Sequence, residues 1–215
     1  KVPGFEEIEI VRAKLLQSNQ EIDVKDLGAL SPHFKSEKRL LSKVVATSIS
    51  PIALCELLYR IVQYQQATRL VELGMSAGIT TLYLASVKNA QVTTFEGNKD
   101  MIQVALTHFE LFETKNIRLI EGNLDNTLPD FIQNPAKIHF ALMDANHRYE
   151  PTIRYFTLLS KRMSDKGVIV IDDIYHSEEM ARAWKELRHH DLVYGSVDLF
   201  RCGILFFDTA LNRQH

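Results

Sequence analysis

Three aspartates and one histidine follow two apolar runs in the second half of this sequence. The first run ends at Asp144, with His147 three residues later, and the second run ends at Asp172 and Asp173. If both runs are parallel strands, their carboxyl ends share one edge of a sheet and the three carboxylates lie close together. Clustered carboxylates resist ionisation unless a cation balances them, and their oxygens suit magnesium, calcium or manganese. The sequence therefore predicts a divalent-metal site at Asp144, Asp172 and Asp173, although Asp144 and Asp173 could instead cap the helices that follow.

His147 is the first candidate for a general base beside these carboxylates. An imidazole with a pKa of about 6.5 can accept and release a proton at neutral pH. His176, three residues after Asp173, is a second candidate, as a base or as a contact to substrate. His147 could instead be a surface residue at a helix start, and both interpretations stay open.

A glycine turn follows the first predicted strand. Residues 69–73 are a short apolar run, and glycines stand at positions 74 and 78. Gly74 permits unusual backbone angles, and Gly78 lets the chain pass close to a ligand or a neighbouring strand. Ser76 and two nearby threonines suit the capping of the next helix, whose free amide groups form a polar cradle. The dinucleotide fingerprint needs a third glycine, so this turn disfavours a nicotinamide cofactor.

Glu96 ends the next predicted strand, 22 residues after Gly74. A carboxylate at such a strand end can accept hydrogen bonds from both hydroxyls of a ribose. Nicotinamide and other nucleoside cofactors share this feature, so it does not separate them. A surface acid that caps the next helix is the alternative.

The composition is that of an ordinary globular chain and argues against several classes of partner. The 215 residues carry a formal net charge of −2, which gives no electrostatic basis for binding nucleic acid. Cys55 and Cys202 lie far apart in apolar surroundings, so we expect buried free thiols rather than a metal or redox pair. No run approaches the roughly 20 apolar residues of a membrane helix, and the acidic N-terminal residues do not suit a signal peptide. We expect a cytoplasmic protein with no nucleic-acid or membrane partner.

Strands and helices alternate from residue 68 onward, after a helical leading part. Five strand–helix units precede two strands that are joined by a short connection. This alternation predicts a parallel sheet with helices on both faces, and the last pair must be antiparallel. The predicted strands are residues 69–73, 91–95, 117–120, 138–143, 167–171, 192–197 and 203–207. The predicted leading helices are residues 5–18, 36–48 and 52–64, with a loop at residues 22–34.

The predicted fold is therefore α/β. It is a doubly wound, mostly parallel, Rossmann-like sheet of seven strands with a terminal antiparallel hairpin and an N-terminal helical cap. The cap is predicted over residues 1–66, and the sheet is predicted over residues 67–215 as one compact unit.

The motif Val-Glu-Leu-Gly-x-x-x-Gly at residues 71–78 resembles the first motif of the class I S-adenosylmethionine-dependent methyltransferases. The predicted strand order, in which the last hairpin inserts an antiparallel strand, is also similar to that family's fold. The resemblance covers roughly residues 68–207. It implies that the loop after the first strand wraps the methionine part of the cofactor. The residues implied in this contact are Glu72, Gly74, Ser76 and Gly78.

The same resemblance assigns residues to the nucleoside half of S-adenosylmethionine. It implies that Glu96 binds the ribose hydroxyls. Gly122 and Asn123 follow the third strand, where the family usually carries Gly-Asp-Ala. The amide oxygen of Asn123 can accept the adenine hydrogen bond that the aspartate accepts in the family. Asp144 is expected to line the cofactor pocket as well.

The carboxylates resemble the metal ligands of the cation-dependent O-methyltransferases of the catechol and caffeoyl-CoA type and of related sugar O-methyltransferases. Asp144, Asp172 and Asp173 fall on those positions. The resemblance implies a metal that binds two vicinal substrate oxygens and lowers the pKa of the attacking one, which displaces the sulfonium methyl in line. His147 stands where the catechol type holds a lysine base, so His147 and Asp144 are the expected catalytic residues.

These observations favour an S-adenosylmethionine-dependent methyltransferase that acts on the oxygen of a small hydroxylated acceptor with a divalent cation such as magnesium. The first alternative is a metal-independent methyltransferase with His147 as base. The others are an NAD(P)-dependent oxidoreductase and a non-catalytic protein that binds the cofactor. A homodimer is compatible with apolar faces on the leading helices.

Overall fold

The computed structural model describes residues 4–24 and 37–215. Its helices are α1 (Glu6–Leu16), α2 (Leu41–Ser48), α3 (Ile52–Tyr64), α4 (Ile79–Ala85), α5 (Lys99–Leu111), α6 (Leu124–Ile132), α7 (Tyr149–Ser160) and α8 (Glu178–Leu187). Its strands are β1 (Glu21–Val24), β2 (Glu37–Leu40), β3 (Arg69–Leu73), β4 (Gln91–Glu96), β5 (Ile117–Glu121), β6 (Ile138–Met143), β7 (Met163–Asp172), β8 (Gly195–Asp198) and β9 (Cys202–Phe206).

The leading part is not purely helical, and here the sequence-based prediction was wrong. Strands β1 and β2 pair antiparallel, with Glu21 opposite Leu40. The helix predicted from residue 36 therefore begins at Leu41, whose amide donates to the carbonyl oxygen of Gln20 at 2.8 Å. Pairing between distant segments overrides a local helical pattern, because a strand's hydrogen bonds come from its partner. Residues 25–36, which hold most of the predicted loop, lie outside the described residues.

The main sheet has the predicted class, with seven strands and an antiparallel pair at the end of the chain. Its seven strands follow the order β5-β4-β3-β6-β7-β9-β8. The pairs β3–β6, β4–β5 and β6–β7 are parallel, whereas β9 is antiparallel to both β7 and β8. The fold prediction is therefore confirmed, and the largest boundary shifts are in β7 and β8. Strand β7 starts at Met163 instead of residue 167, and β8 covers Gly195–Asp198 instead of residues 192–197.

The contacts between Cα atoms divide the chain into two compact units, which we describe separately. Unit 1 comprises residues 1–66 and 75–123, and unit 2 comprises residues 67–74 and 124–215. The cap boundary predicted after residue 66 coincides with one of the division points. As a domain boundary it stays a prediction.

Unit 1 has an apolar core built around aromatic side chains. Tyr83 of α4 is fully buried, and its ring centroid lies 4.2 Å from that of Phe5. The hydroxyl of Tyr83 donates to Glu9 Oε1 at 2.8 Å, so the buried phenol has a partner for its polar atom. This contact ties the first helix, α1, to α4.

Unit 2 contains the most deeply buried strands of the sheet. Burial on both faces explains why β3, β6 and β7 are nearly continuous apolar runs, as parallel strands in α/β proteins usually are. Phe140 of β6 and Phe156 of α7 are fully buried in this unit. The two cysteines are buried free thiols, as predicted.

Within the described residues, no single helix is both long and apolar enough to cross a membrane. The pair α2 and α3, bent by 53°, meets the criterion of length and composition only when taken together.

Candidate functional site

Parallel pairing places Asp144 and Asp172 at the same edge of the sheet. Met143 of β6 pairs with Ile171 of β7, so the next residues, Asp144 and Asp172, leave the sheet side by side. The amide of Asp144 donates to the carbonyl oxygen of Leu73 at 2.9 Å, which extends the pairing of β3 and β6 by one step. The carboxylates predicted to meet at this edge do interact electrostatically, and Asp173 takes part.

An arginine that the sequence analysis did not single out holds two of these carboxylates. Arg201 places Nη2 3.0 Å from Asp172 Oδ2 and 3.6 Å from Asp173 Oδ1. The side chain of Asp172 is only 1% exposed, whereas those of Asp173 and Arg201 reach solvent. Within the described part of the chain, Asp172 Oδ1 has no hydrogen-bond partner. This buried oxygen is therefore available to a group that enters the site.

Burial and mutual repulsion shape the ionisation of the cluster. The pKa of Asp144 is raised well above its ordinary value by burial first, and then by the charges of Asp172, Asp173 and Glu72. Burial also raises the pKa of Asp172, and Arg201 opposes that rise. Glu72 is itself fully buried on β3. Unit 2 thus carries a compact group of carboxylates in which the ionisation of Asp144 and Asp172 is resisted, as the sequence analysis expected.

His147 lies next to this cluster. Its Nε2 is 3.5 Å from Asp144 Oδ1, and its ring centroid is 5.8 Å from that of His176. Burial lowers the pKa of His147 below its ordinary value, while the charges of Asp173 and Asp172 act in the opposite direction. The imidazole is therefore mainly neutral at pH 7, the form that can accept a proton.

The alternative role of the carboxylates as helix caps is not found. Helix α8 is capped by Ser177, whose hydroxyl accepts from the amide of Met180 at 3.2 Å. Helix α7 starts after Arg148 without a side-chain cap. Asp144 and Asp173 are thus not explained as caps of the helices that follow them.

A second network holds the loop between Asp144 and His147. The hydroxyl of Tyr155 donates to Asp125 Oδ1 at 2.8 Å and accepts from Asn146 Nδ2 at 3.3 Å. Asn146 has a φ of 65°, and Asp173 has a φ of 53°. Asn and Asp tolerate this left-handed region better than most residues, which explains why these types stand at the two strand ends. Sequence reasoning missed this network because α6 and α7 are distant in sequence.

Gly74 is required by the close approach of β3 and β6. It has a φ of 92°, and a Cβ atom there would lie 2.1 Å from the backbone oxygen of Asp144. No side chain fits at that distance, so the glycine predicted for the turn is explained by the neighbouring strand end.

The predicted capping of α4 by hydroxyl side chains is not found in the structure. A Cβ atom on Gly78 would lie 2.8 Å from Phe109 Cε1, so Gly78 is needed for packing against α5. Gly78 itself is the N-cap residue of α4, with a φ of 79° and no side-chain cap. The hydroxyl of Ser76 pairs with that of Ser48 at 2.7 Å, and Thr80 and Thr81 are buried. The predicted hydroxyl caps are therefore wrong, because the glycine already supplies the backbone geometry.

Glu96 organises the strand ends of unit 1. Its Oε2 accepts from the amide of Ser76 at 2.9 Å, and its Oε1 accepts from the amides of Gly97 and Asn98 at 2.8 Å. Asn98, not Glu96, caps α5 through its side chain. A carboxylate offers about four acceptor positions, so Glu96 keeps capacity for one further donor.

The end of β5 lies beside Glu96. The amide of Gly122 donates to the backbone oxygen of Glu96 at 2.9 Å, and Gly122 has a φ of 134°, which favours glycine. Asn123 follows, half-buried, directly before α6. Glu96 and Gly122, both predicted to bind the nucleoside half, are thus in contact, and Asn123 is the next residue in the chain. Ser76, predicted on the methionine side, donates its backbone amide to the Glu96 carboxylate.

Two aromatic side chains and one histidine outside the strand-end site make structural contacts. Trp184 and Phe207 are buried, and Gly203 leaves room for the Trp184 ring. His139 Nδ1 accepts from the amide of Thr68 at 3.1 Å, a structural contact. His33 lies outside the described residues.

The described residues fit a divalent ion poorly. Among them, no group of three His, Cys, Asp or Glu side chains is arranged to hold a metal. Asp144, Asp172 and Asp173 share one edge, but Arg201 already bonds Asp172 and approaches Asp173. The predicted metal site stays a prediction that this arrangement does not support.

The fold is that of the class I methyltransferases. Residues 71–174 match a family model described as a methyltransferase domain. This match confirms the resemblance to the methyltransferases that the motif at residues 71–78 indicates. Among curated proteins, none matches the sequence significantly.

Solved structures share the fold at low sequence identity. A candidate O-methyltransferase from Klebsiella pneumoniae has a TM-score of 0.73 and 14% identity, covering 97% of this chain and 92% of its own. An O-methyltransferase from Bacillus cereus, in complex with S-adenosylhomocysteine, has a TM-score of 0.72 and 15% identity, covering 95% and 91%. A candidate caffeoyl-CoA O-methyltransferase from Staphylococcus aureus has a TM-score of 0.66 and 17% identity, covering 77% and 88%.

Proposed function

We propose that this protein transfers the methyl group of S-adenosylmethionine to the oxygen of a small hydroxylated acceptor. The observation that carries the proposal is the position of His147, whose Nε2 lies 3.5 Å from Asp144 Oδ1 at the edge where β3 and β6 end in a region matching a methyltransferase domain. Structural neighbours described as O-methyltransferases support the choice of oxygen, including one bound to S-adenosylmethionine and one bound to S-adenosylhomocysteine.

The cofactor residues follow from the two groups described above. In unit 1, Glu96 has acceptor capacity left for a ribose hydroxyl, and Asn123 follows β5 at the position assigned to adenine. In unit 2, Gly74 follows β3 beside the backbone of Asp144, at the position assigned to the methionine part. When bound, S-adenosylmethionine supplies a methyl group already activated on a sulfonium.

His147 is the base in this proposal. Its Nε2 faces Asp144, so Nδ1 is the ring nitrogen that accepts the proton of the acceptor hydroxyl. The loss of that proton makes the acceptor oxygen the nucleophile, and the methyl group moves to this oxygen as the carbon–sulfur bond breaks. Asp144 orients the imidazole, and the charges of Asp173 and Asp172 favour the imidazolium that forms. His176 is the second candidate base, exposed and 5.8 Å away between ring centroids.

Two versions of this reaction remain as proposals. The sequence favoured a divalent cation at Asp144, Asp172 and Asp173, with a metal-independent reaction as the alternative. The ion pair between Arg201 and Asp172 favours the alternative, because the guanidinium occupies one of the carboxylates that the metal would need. An oxidoreductase has no support from the methyltransferase match.

A methyl-transfer assay over phenols, sugars and other small hydroxylated compounds tests the proposal. We expect turnover of S-adenosylmethionine with at least one class of acceptor, and full activity in excess EDTA. The variant His147→Ala should lose turnover, whereas His189→Ala, which removes an exposed histidine of the same unit, should keep it. Absence of turnover together with binding of S-adenosylhomocysteine would instead support a non-catalytic cofactor-binding protein.

The remaining expectations are proposals as well. The acceptor is a small molecule, and neither nucleic acid nor a membrane is a partner. A homodimer would use the leading helices, where Tyr64 at the end of α3 is 91% exposed. The cytoplasm is the proposed location.

A further inference from the structure

The antiparallel last strand fixes the position of Arg201. Asp172 of β7 pairs with Cys202 of β9, so the residue before Cys202 lies beside the end of β7. The amide of Ile174 donates to the carbonyl oxygen of Arg201 at 3.2 Å, which continues this pairing past the end of the strands. The arginine therefore reaches the carboxylate edge because of the register of the sheet, not because of a mobile loop.

The guanidinium supplies a permanent positive charge to this edge. Arg201 Nη2 lies 3.0 Å from Asp172 Oδ2 and 3.6 Å from Asp173 Oδ1. Asp172 is 1% exposed, and a carboxylate so deeply buried is costly unless a cation or hydrogen-bond donors pair with it. Arginine stays protonated at any physiological pH, so this charge does not depend on conditions.

We propose that Arg201 is the built-in cation of the Asp172–Asp173 pair, that it takes the place of a divalent metal, and that it excludes metal from this edge. Only the catalytic consequence of this proposal rests on the proposed function. The balance of charge at Asp172 is a property of the folded chain and does not depend on catalysis. It explains why the carboxylates expected for a metal site are present without forming one.

Competition between the two cations follows from the geometry. A magnesium or manganese ion needs carboxylate oxygens at about 2.0–2.3 Å. Such an ion at Asp172 and Asp173 would stand next to the guanidinium, and two like charges at this separation repel strongly in a partly buried site. Removal of the guanidinium leaves the carboxylates of Asp172 and Asp173 without this cation. One of their oxygens, the buried Asp172 Oδ1, already lacks a hydrogen-bond partner among the described residues. Hard oxygen ligands then become available to a divalent ion.

Manganese titration of the full chain, without methyl donor or acceptor, tests this inference by calorimetry and by the loss of the free-ion electron paramagnetic resonance signal. We expect no ion bound at this edge in the unmodified protein. The variants Arg201→Ala and Arg201→Gln should bind Mn²⁺ at least about tenfold more tightly and gain melting temperature when it is added. The variant Arg201→Lys should keep the exclusion, because it keeps the charge.

Arg213→Ala is the matched control, since Arg213 pairs with the exposed Asp191 in the same unit at 3.9 Å and is similarly exposed. It should not gain ion binding. The double variant Asp172→Asn with Arg201→Ala should lose the acquired binding, which locates the ion at this edge.

Two results would overturn the inference. One is binding of Mn²⁺ by the unmodified protein that is lost in the variant Asp172→Asn. This result can be obtained even if no Arg201 variant folds. The other is folded Arg201→Ala or Arg201→Gln protein that binds no ion. Neither result depends on methyl transfer, so failure of this inference is distinct from failure of the proposed function.

Discussion

Gly74 and Asp144 lie so close that a Cβ atom on Gly74 would stand 2.1 Å from the backbone oxygen of Asp144. The amide of Asp144 also donates to the carbonyl oxygen of Leu73, the residue before Gly74, at 2.9 Å. The glycine turn and the carboxylate edge are therefore one structural feature of unit 2. A change in the turn is expected to move the carboxylate that faces His147.

The variant Gly74→Ala should therefore destabilise the protein and abolish binding of S-adenosylhomocysteine. Its φ of 92° disfavours any side chain, and the added methyl group clashes with backbone that cannot rotate away. A loss of at least about 2 kcal/mol is expected. Urea unfolding and calorimetry measure both effects. The control is Gly195→Ala, where the nearest atom lies 3.5 Å from the added Cβ. Equal stability of the two variants would contradict the close approach.

Protonation of His147 should cause the loss of activity on the acid side of the pH profile. The base must be neutral, and burial lowers the pKa of His147 below its ordinary value of about 6.5. Activity measured as kcat/KM should thus be full at pH 7 and fall only as the pH drops through that lowered pKa. His147→Ala should lose about 10²–10⁴-fold in kcat/KM and lose this limb of the profile. An unchanged profile in the variant would assign the limb to another group, with His176 next in line.

Asp144→Asn should stabilise the protein at neutral pH while it impairs activity. The pKa of Asp144 is raised in the folded state by burial and by neighbouring carboxylates. Ionisation of Asp144 therefore lowers the free energy of unfolding at every pH above its pKa in the unfolded chain, which is about 3.8. This loss of stability grows with pH until the pH passes the pKa of Asp144 in the folded protein. The gain should be on the order of 1 kcal/mol, or about 2–4 °C in melting temperature, and should vanish towards pH 4. Melting curves from pH 4 to pH 8 measure this, and a variant less stable at pH 8 would refute the raised pKa.

Glu96→Gln should weaken both the fold of unit 1 and cofactor binding. Glu96 accepts three backbone amides, and a glutamine would turn an NH₂ group towards at least one of these donors. We expect a loss of about 1–3 kcal/mol of stability and a weaker affinity for S-adenosylhomocysteine. Glu121→Gln serves as the control, because the Glu121 side chain is 52% exposed and its Oε1 makes one surface ion pair, 3.6 Å from Lys99 Nζ. Such exposed pairs contribute little to stability. If both variants bind the cofactor as the unmodified protein does, Glu96 is structural only.

The alternation of apolar runs was enough to predict the sheet. Parallel strands such as β3, β6 and β7 are buried on both faces, so they can be recognised in the sequence as runs of apolar residues. The short connection before β9 leaves no room for a crossover helix and therefore requires an antiparallel pair. The β1–β2 hairpin was missed for the opposite reason. Lys38 and Arg39 of β2 are exposed, and the strand exists only because Glu21–Val24 pairs with it.

The candidate site was predicted up to the strand ends and no further. Asp144, Asp172 and His147 follow directly from where β6 and β7 stop. Arg201 depends on the register between β7 and β9, and a shift of one residue would turn its side chain to the other face. The predicted hairpin put residue 201 in the connection between its two strands, and only the observed pairing shows which carboxylate it meets.

Mass spectrometry of a hydroxylated acceptor incubated with the protein and S-adenosylmethionine in excess EDTA tests the proposed methyl transfer. We expect the acceptor to gain the mass of one methyl group at a rate that the chelator leaves unchanged, and His147→Ala to form the product at least about 100-fold more slowly. No methylated acceptor in any class of compound, or a product formed at the same rate by His147→Ala, would contradict it.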